Sequence, residues 1–224
     1  MDALPNELVA EIVSYVQGRI GHLATISRAW QKCVERLTFA HLLLTQDRFD
    51  QATKFITTTR IEYIKSLELR VILDEYDDSA CCIEETEAER VRNSKLFTKT
   101  VSSLFSLLER VERHIDLVID VYSPSDVGYC LFEKYEERSK NPADLLERRY
   151  RNSLIVFDGT EKMPDIRCVQ SLQLMSLKDH VRPLCPKSAC AIASKMVRLD
   201  KLSMRLKDVG NESERLYRRG GMLR

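Results

Sequence analysis

Five short segments of this chain share one spacing of apolar residues. "FAHLLLT", "IKSLELRV", "VQSLQLM" and "LDKLSMRL" begin at Phe39, Ile64, Val169 and Leu199, and each reads apolar-x-x-apolar-x-apolar. The slots are Phe39, Leu42 and Leu44; Ile64, Leu67 and Leu69; Val169, Leu172 and Leu174; Leu199, Leu202 and Met204. A fifth segment, "HIDLVIDVY", fits less closely, with His114 in the first slot and Leu117 and Ile119 in the other two. Successive side chains of a strand point to opposite faces, so this alternation predicts strands with one buried face. The other face carries Glu68, Arg70, Asp116, Asp120, Gln173, Ser203 and Arg205 and is expected to meet water.

Helical patterns lie between the strands. Phe97, Val101, Leu104, Phe105, Leu108 and Val111 fall on one helical face, and Ala189, Ile192, Met196 and Val197 on another, with Ser188 as its N-cap. Residues 50–59 carry Phe49, Ala52, Phe55 and Ile56 in the same way. Strand and helix in alternation predict right-handed crossovers and a parallel sheet, an α/β fold. A doubly wound sheet, covered on both sides, needs nearly continuous apolar strands. One wet face instead favours a curved solenoid with helices outside and a polar concave sheet. The motif resembles the leucine-rich repeat, with two intervals near the usual ~20–29 residues and two much longer. The competing reading is an ordinary α/β domain.

Ahead of the first strand stands "LPNELVAEIVSYV". Leu8, Val9, Ile12, Val13 and Val16 fall within an arc of roughly 140°, and Pro5 suits the first helical position. Gly18 and Gly21 break this helix, Ile20, Leu23, Ala24 and Ile26 suggest a short second one, and Ser27 caps a third that shows Trp30, Val34 and Leu37. Three short helices are too small for a core of their own, so they dock on the first repeat or on another protein.

Leu4, Pro5, Glu7, Leu8, Ile12, Val16, Leu23, Ile26, Ser27, Arg28 and Trp30 resemble the F-box, which begins Leu-Pro-x-Glu-Leu and ends near Val-Ser-Arg-x-Trp. The match covers residues 4 to about 44. Ile20 and Gly21 stand where the family usually carries an Asp-Leu pair. With "TFAHLLLT", "YIKSLELRVILDEYD", "LFTKTVSSLFSLLE", "YSPSD" and "MPDIRCVQSLQL", most of the chain is similar to fungal F-box proteins whose F-box runs into an irregular leucine-rich-repeat-like region. The resemblance implies an F-box-like helical module over residues 1–44 and an irregular, early-stopping solenoid over 45–224. It further implies a non-catalytic substrate receptor of a cullin–RING (SCF-type) ubiquitin ligase, cytoplasmic or nuclear, holding a Skp-type adaptor at one end and a protein target at the other. The residues expected to meet the adaptor are Leu4, Pro5, Leu8, Ile12, Val16 and Trp30. Burying five aliphatic side chains yields roughly 1.5–3 kcal/mol each, against about 4–15 kcal/mol for association, so the first helix needs help from the next two. The alternative is a repeat scaffold with no ligase connection, whose helices cap the first repeat.

A composition of 44% hydrophobic and 31% charged residues predicts a folded chain, and a net charge of +1 supplies no global field for nucleic acid or an anionic membrane. The seven cysteines are scattered, odd in number and lack a C-x-x-C pair, which predicts free thiols in a reducing compartment. His22, His41, His114 and His180 have no i, i+4 partner, so neither a metal nor another cofactor is expected. A hydrolase reading requires a histidine to converge on a thiol or hydroxyl. The acidic run from Asp74 to Glu89 reads as a solvated insertion, and "NESERLYRRGG" as a short helix with an Asn211–Glu214 capping box.

Overall fold

The computed structural model describes residues 4–16, 18–77, 79–80, 83–128, 149–175 and 182–204. In chain order they form α1 (Asn6–Tyr15), a 3-10 turn (Gly21–Thr25), α2 (Arg28–Thr38), β1 (His41–Thr45), α3 (Gln46–Phe55), α4 (Thr58–Ile61) and β2 (Ser66–Ile72). Then follow α5 (Glu87–Leu108), β3 (Ile115–Tyr122), α6 (Pro124–Gly128), a second 3-10 turn (Thr160–Lys162), β4 (Val169–Leu174), α7 (Pro186–Ser194) and β5 (Lys201–Met204). The predicted capping box and helix over 211–220 lie outside the described residues.

All five predicted strands are present, and they make one parallel sheet in chain order, β1-β2-β3-β4-β5. The recurring spacing sets the register. Leu42, Leu67, Leu117, Leu172 and Leu202 stand side by side, and Leu44, Leu69, Ile119, Leu174 and Met204 form the next rung. Apart from Leu202, which is 43% exposed on the edge strand β5 and does not fill the buried slot expected of it, these rungs share one apolar cluster with Phe49 and Ile61, with the Phe97-to-Leu108 stripe of α5, with Ile155 and Ile166, and with Ala189 and Ile192 of α7. Every crossover therefore covers the same face of the sheet. Along β2, buried Leu67, Leu69 and Val71 alternate with half-buried Ser66, Glu68, Arg70 and Ile72, so the second face carries no such layer. The chain is a mixed α/β fold on a five-stranded parallel sheet, and its strand order does not reverse as a doubly wound sheet's does.

Several sequence expectations are corrected. His114 is exposed and does not fill the first slot of its repeat. Ile115 fills it instead, paired with Val169, because the register shifts between Ile115 and Asp116 and leaves Gln170 as the extra residue of β4. Asp120 is fully buried rather than wet, since the segments leaving β2 and β3 close over the end of the sheet: Ser123 Oγ donates to the Asp74 carbonyl at 2.8 Å. Arg205 lies outside the described residues. The helix expected over residues 50–59 starts earlier and breaks at Ile56, which turns inward while Phe55 stays exposed. Ser188 is not the N-cap of α7. That position belongs to Cys185, followed by Pro186 at N1, and the buried Ser188 hydroxyl accepts from the Phe157 N–H at 2.8 Å. Val197 faces solvent.

The acidic run does not stay a solvated insertion to its end. Thr86 and Glu89 make a capping box that starts α5 at Glu87. The carboxylates there satisfy orphan N–H groups and oppose the positive end of the helix dipole.

Candidate functional site

Contrary to the expectation that three short helices are too small for a core of their own, the first helices form a small body with its own apolar cluster. Val9, Val13 and Val34 make a cluster with Ile20, Leu23, Ala24, Trp30 and Cys33, separate from the core under the sheet. The Ser27 hydroxyl caps α2 by accepting from the Trp30 N–H at 3.4 Å. Gly18, at φ +92°, takes a left-handed conformation that other residues adopt at a cost, and it turns the chain between α1 and the 3-10 turn. Glu35 of α2 ties this body to the sheet domain through Arg60 at 2.6 Å, and Arg60 also lies over the Phe39 ring at 5.1 Å. The hydrogen bond from Arg60 holds the Glu35 carboxyl below its ordinary pKa.

The single apolar arc expected on α1 is divided. Val9 and Val13 are buried, whereas Leu8 is 46% and Ile12 42% exposed. At about 100° per residue, Leu8, Ile12 and Tyr15 of α1 lie within roughly 60° of one another, and they are exposed, as is Leu4 just ahead of the helix. Val16, at the C-cap, and Ile26 add to the exposed apolar surface. Pro5 is exposed and is the N-cap rather than the first helical residue, its carbonyl accepting from the Val9 N–H at 3.1 Å. Trp30 stands apart from this row and packs, half-buried, on the Val9–Val13–Val34 cluster. Of the six residues expected at a docking face, the structure thus puts Leu8 and Ile12 on one side of α1, with Leu4 and Pro5 leading into the helix and Val16 at its C-cap. It places Trp30 beneath.

A histidine does reach a hydroxyl. His41 Nδ1 and Ser66 Oγ lie 2.7 Å apart on β1 and β2. The sheet row runs His41–Ser66–Asp116, with serine in the middle, so the carboxylate is not placed to orient the imidazole as a triad requires. The nearby N–H groups of Lys65 and Ser66 both donate to the Ala40 carbonyl, which removes them as oxyanion donors. Cys168 is buried, and burial pushes its thiol up to about 11, away from nucleophilic reactivity. Among the described residues no three His, Cys, Asp or Glu side chains are grouped to hold a metal, and no helix is long and apolar enough to cross a membrane. Cys81, Cys82, Cys130 and His180 lie outside the described residues.

One cluster gave no sequence signal. Arg182 and Glu85 form an ion pair with side chains 1% and 0% exposed. Ser153 donates to the same Glu85 oxygen, and Asn93 Nδ2 donates to the other at 2.7 Å. Arg149 donates to Glu89 at 2.9 Å and to the Ala80 carbonyl at 2.7 Å, and its guanidinium lies 3.8 Å from the Tyr76 ring centre. The Tyr76 and Tyr150 hydroxyls both donate to Asp126 Oδ1, at 2.7 and 2.6 Å, and burial raises both phenols' pKa values, keeping them protonated donors. The partners are up to 97 residues apart, so no local motif announces them. They bolt the segments after β2 and β3 to the segments around Arg149 and Arg182.

No protein-family model, no curated protein and no solved structure matches the chain.

Proposed function

We propose that the chain is a non-catalytic substrate receptor of an SCF-type ubiquitin ligase, with an F-box-like module at its start and an irregular leucine-rich-repeat-like region after it. The observation that carries this reading is the row of Leu8, Ile12 and Tyr15 on α1, with Leu4 just ahead of the helix, all exposed although the neighbouring Val9–Val13 side of the same helix is already closed by α2. Three large apolar side chains aligned on one helix, with a fourth at its entrance, are suited to a groove in a partner. Leu4, Pro5, Leu8, Ile12 and Val16 meet the Skp-type adaptor, and Trp30 supports them from below. The sheet's second face, which carries Glu68, Arg70, Asp116 and Gln173, holds the protein target. Joining adaptor and target raises the target's effective concentration beside the ubiquitin-charged enzyme, and that proximity is the mechanism. The setting is the cytoplasm or nucleus.

The test is co-purification with a Skp-type adaptor, comparing wild type with Leu8→Asp plus Ile12→Asp. The reading expects loss of the adaptor with an unchanged far-UV circular dichroism spectrum. Equal recovery of adaptor by both proteins overturns it. The alternative, a repeat scaffold without a ligase connection, is favoured by the closed Val9–Val13–Val34 cluster, which lets the three helices serve as a cap. It predicts a soluble monomer when the chain is expressed alone, whereas the receptor reading predicts poor solubility that co-expressed adaptor restores.

A further inference from the structure

Two clefts flank the outer edge of α2 and share Lys32 and Arg36 as their common wall. The first, about 580 Å³, lies between α1, α2 and the start of the sheet, and is also lined by His41 and Lys65. The second, about 380 Å³, opens toward the turn after α5 and is lined by Arg110 and Arg113. Lys32 and Arg36 are four residues apart on one helix and so project as a ridge between the two. Five formal positive charges thus line the two adjoining clefts, which we call the saddle, against the carboxylates of Glu7, Glu62 and Glu112. Among the described residues, none of the five cations makes an ion pair with a carboxylate. Elsewhere Arg60, Arg70, Arg149 and Arg182 each have a carboxylate partner. Among the described residues, the only side-chain hydrogen bond from the five is Arg113 Nη1 to the Glu62 carbonyl, at 2.8 Å.

We propose that this saddle docks an acidic polypeptide segment of a partner protein, whose Asp or Glu side chains pair with Lys32, Arg36, Lys65, Arg110 and Arg113. Clefts of this size take several side chains, and unpaired cations on cleft walls concentrate field lines on an anionic guest. The three interspersed carboxylates select for a peptide. A nucleic acid carries a negative charge at every nucleotide step and meets Glu7, Glu62 and Glu112 as repulsion, whereas a peptide presents neutral or basic residues at those points. The saddle is formed by different residues from the exposed row on α1, so the proposal does not depend on the adaptor reading.

The experiment is fluorescence anisotropy with the full chain and a fluorescein-labelled dodecapeptide of alternating Glu and Ala. A Lys-Ala dodecapeptide and a labelled dodecathymidylate serve as comparison probes. The expected result is saturable binding of the Glu-Ala peptide, weakened at least tenfold between about 0.05 and 0.5 M salt, where screening shortens the Debye length. Lys32→Glu plus Arg36→Glu is expected to weaken it at least tenfold. Lys54→Glu, on α3 outside the saddle, is expected to leave it within twofold. Both variants change exposed side chains that make no ion pair, and thermal melting checks that the fold is kept. No binding, equal binding by the Lys32/Arg36 variant, or tighter binding of dodecathymidylate overturns the proposal.

Discussion

The Arg182–Glu85 pair is the place where a small chemical change has the largest predicted effect. Replacing Arg182 by methionine keeps most of the side-chain volume and the packing on the Tyr150 ring, whose centre lies 4.0 Å from the guanidinium. It leaves the Glu85 carboxylate 0% exposed with only Asn93 and Ser153 as donors. Removing one partner of a buried pair costs about 3–5 kcal/mol, because the remaining charge is neither solvated nor paired. Loss of the cation–π contact adds up to about 2 kcal/mol. Against a total stability of about 5–15 kcal/mol this is a fifth or more. For a chain of this length it lowers Tm by roughly 6–28 °C. Glu85→Gln plus Arg182→Met removes both charges while keeping an acceptor for Asn93, and the double variant is expected to lose at least ~2 kcal/mol less than the two single changes summed. Urea denaturation followed by far-UV circular dichroism reads all four proteins. A cost below ~1 kcal/mol for Arg182→Met, or strict additivity in the double variant, would refute the reasoning that these charges are buried and mutually dependent.

Four further outcomes follow from the geometry. Val9→Asp should melt the N-terminal helical body, whereas Leu8→Asp plus Ile12→Asp should change stability by no more than ~0.5 kcal/mol; amide exchange in α1 and α2 distinguishes them. Gly18→Ala should destabilise the same body by about 1–2 kcal/mol through its positive φ alone, since no atom lies within 4 Å of the added Cβ, and exchange rates in α1 report it. The Glu35–Arg60 contribution should be fully present above the ordinary carboxylate pKa, because the folded value is depressed. It should disappear as pH falls through that folded value, so Glu35→Gln should cost stability at pH 7 and nothing once the pH is well below 4, as measured by urea midpoints. Cys168 should resist iodoacetamide at pH 8 until the chain unfolds, while exposed Cys190 reacts at once, with mass spectrometry locating the adducts.

The sheet was legible because its cause is local. Leu-x-Leu at period two places both leucines on one face, and five copies of that spacing leave few ways to bury the faces together other than side by side. The α5 stripe was legible for the same reason at period 3.6. What sequence reading missed depends on where a pattern is cut off by its surroundings. The bulge at Gln170 is invisible without the neighbouring strand, yet it is what moves Ile115 into the slot assigned to His114. The break at Ile56 has no glycine or proline to mark it, because the pull of the sheet core on Ile56 outweighs helix continuity there.

The docking face was half legible. Periodicity gave an apolar arc on α1 but not its division into a closed side and an open one, which depends on the angle at which α2 packs. The buried Arg149, Arg182, Glu85 and Asp126 were not legible at all. Charged residues in polar segments look solvated in a sequence, and only the folded chain brings carboxylates and guanidinium groups from distant segments into one dry volume. Sequence alone determined the strands, the face that β1 to β4 bury and the apolar character of α1, since these follow from backbone geometry and side-chain spacing. Tertiary structure alone decided which charges are buried and which greasy residues remain uncovered, because burial belongs to the neighbours a residue acquires and not to the residue.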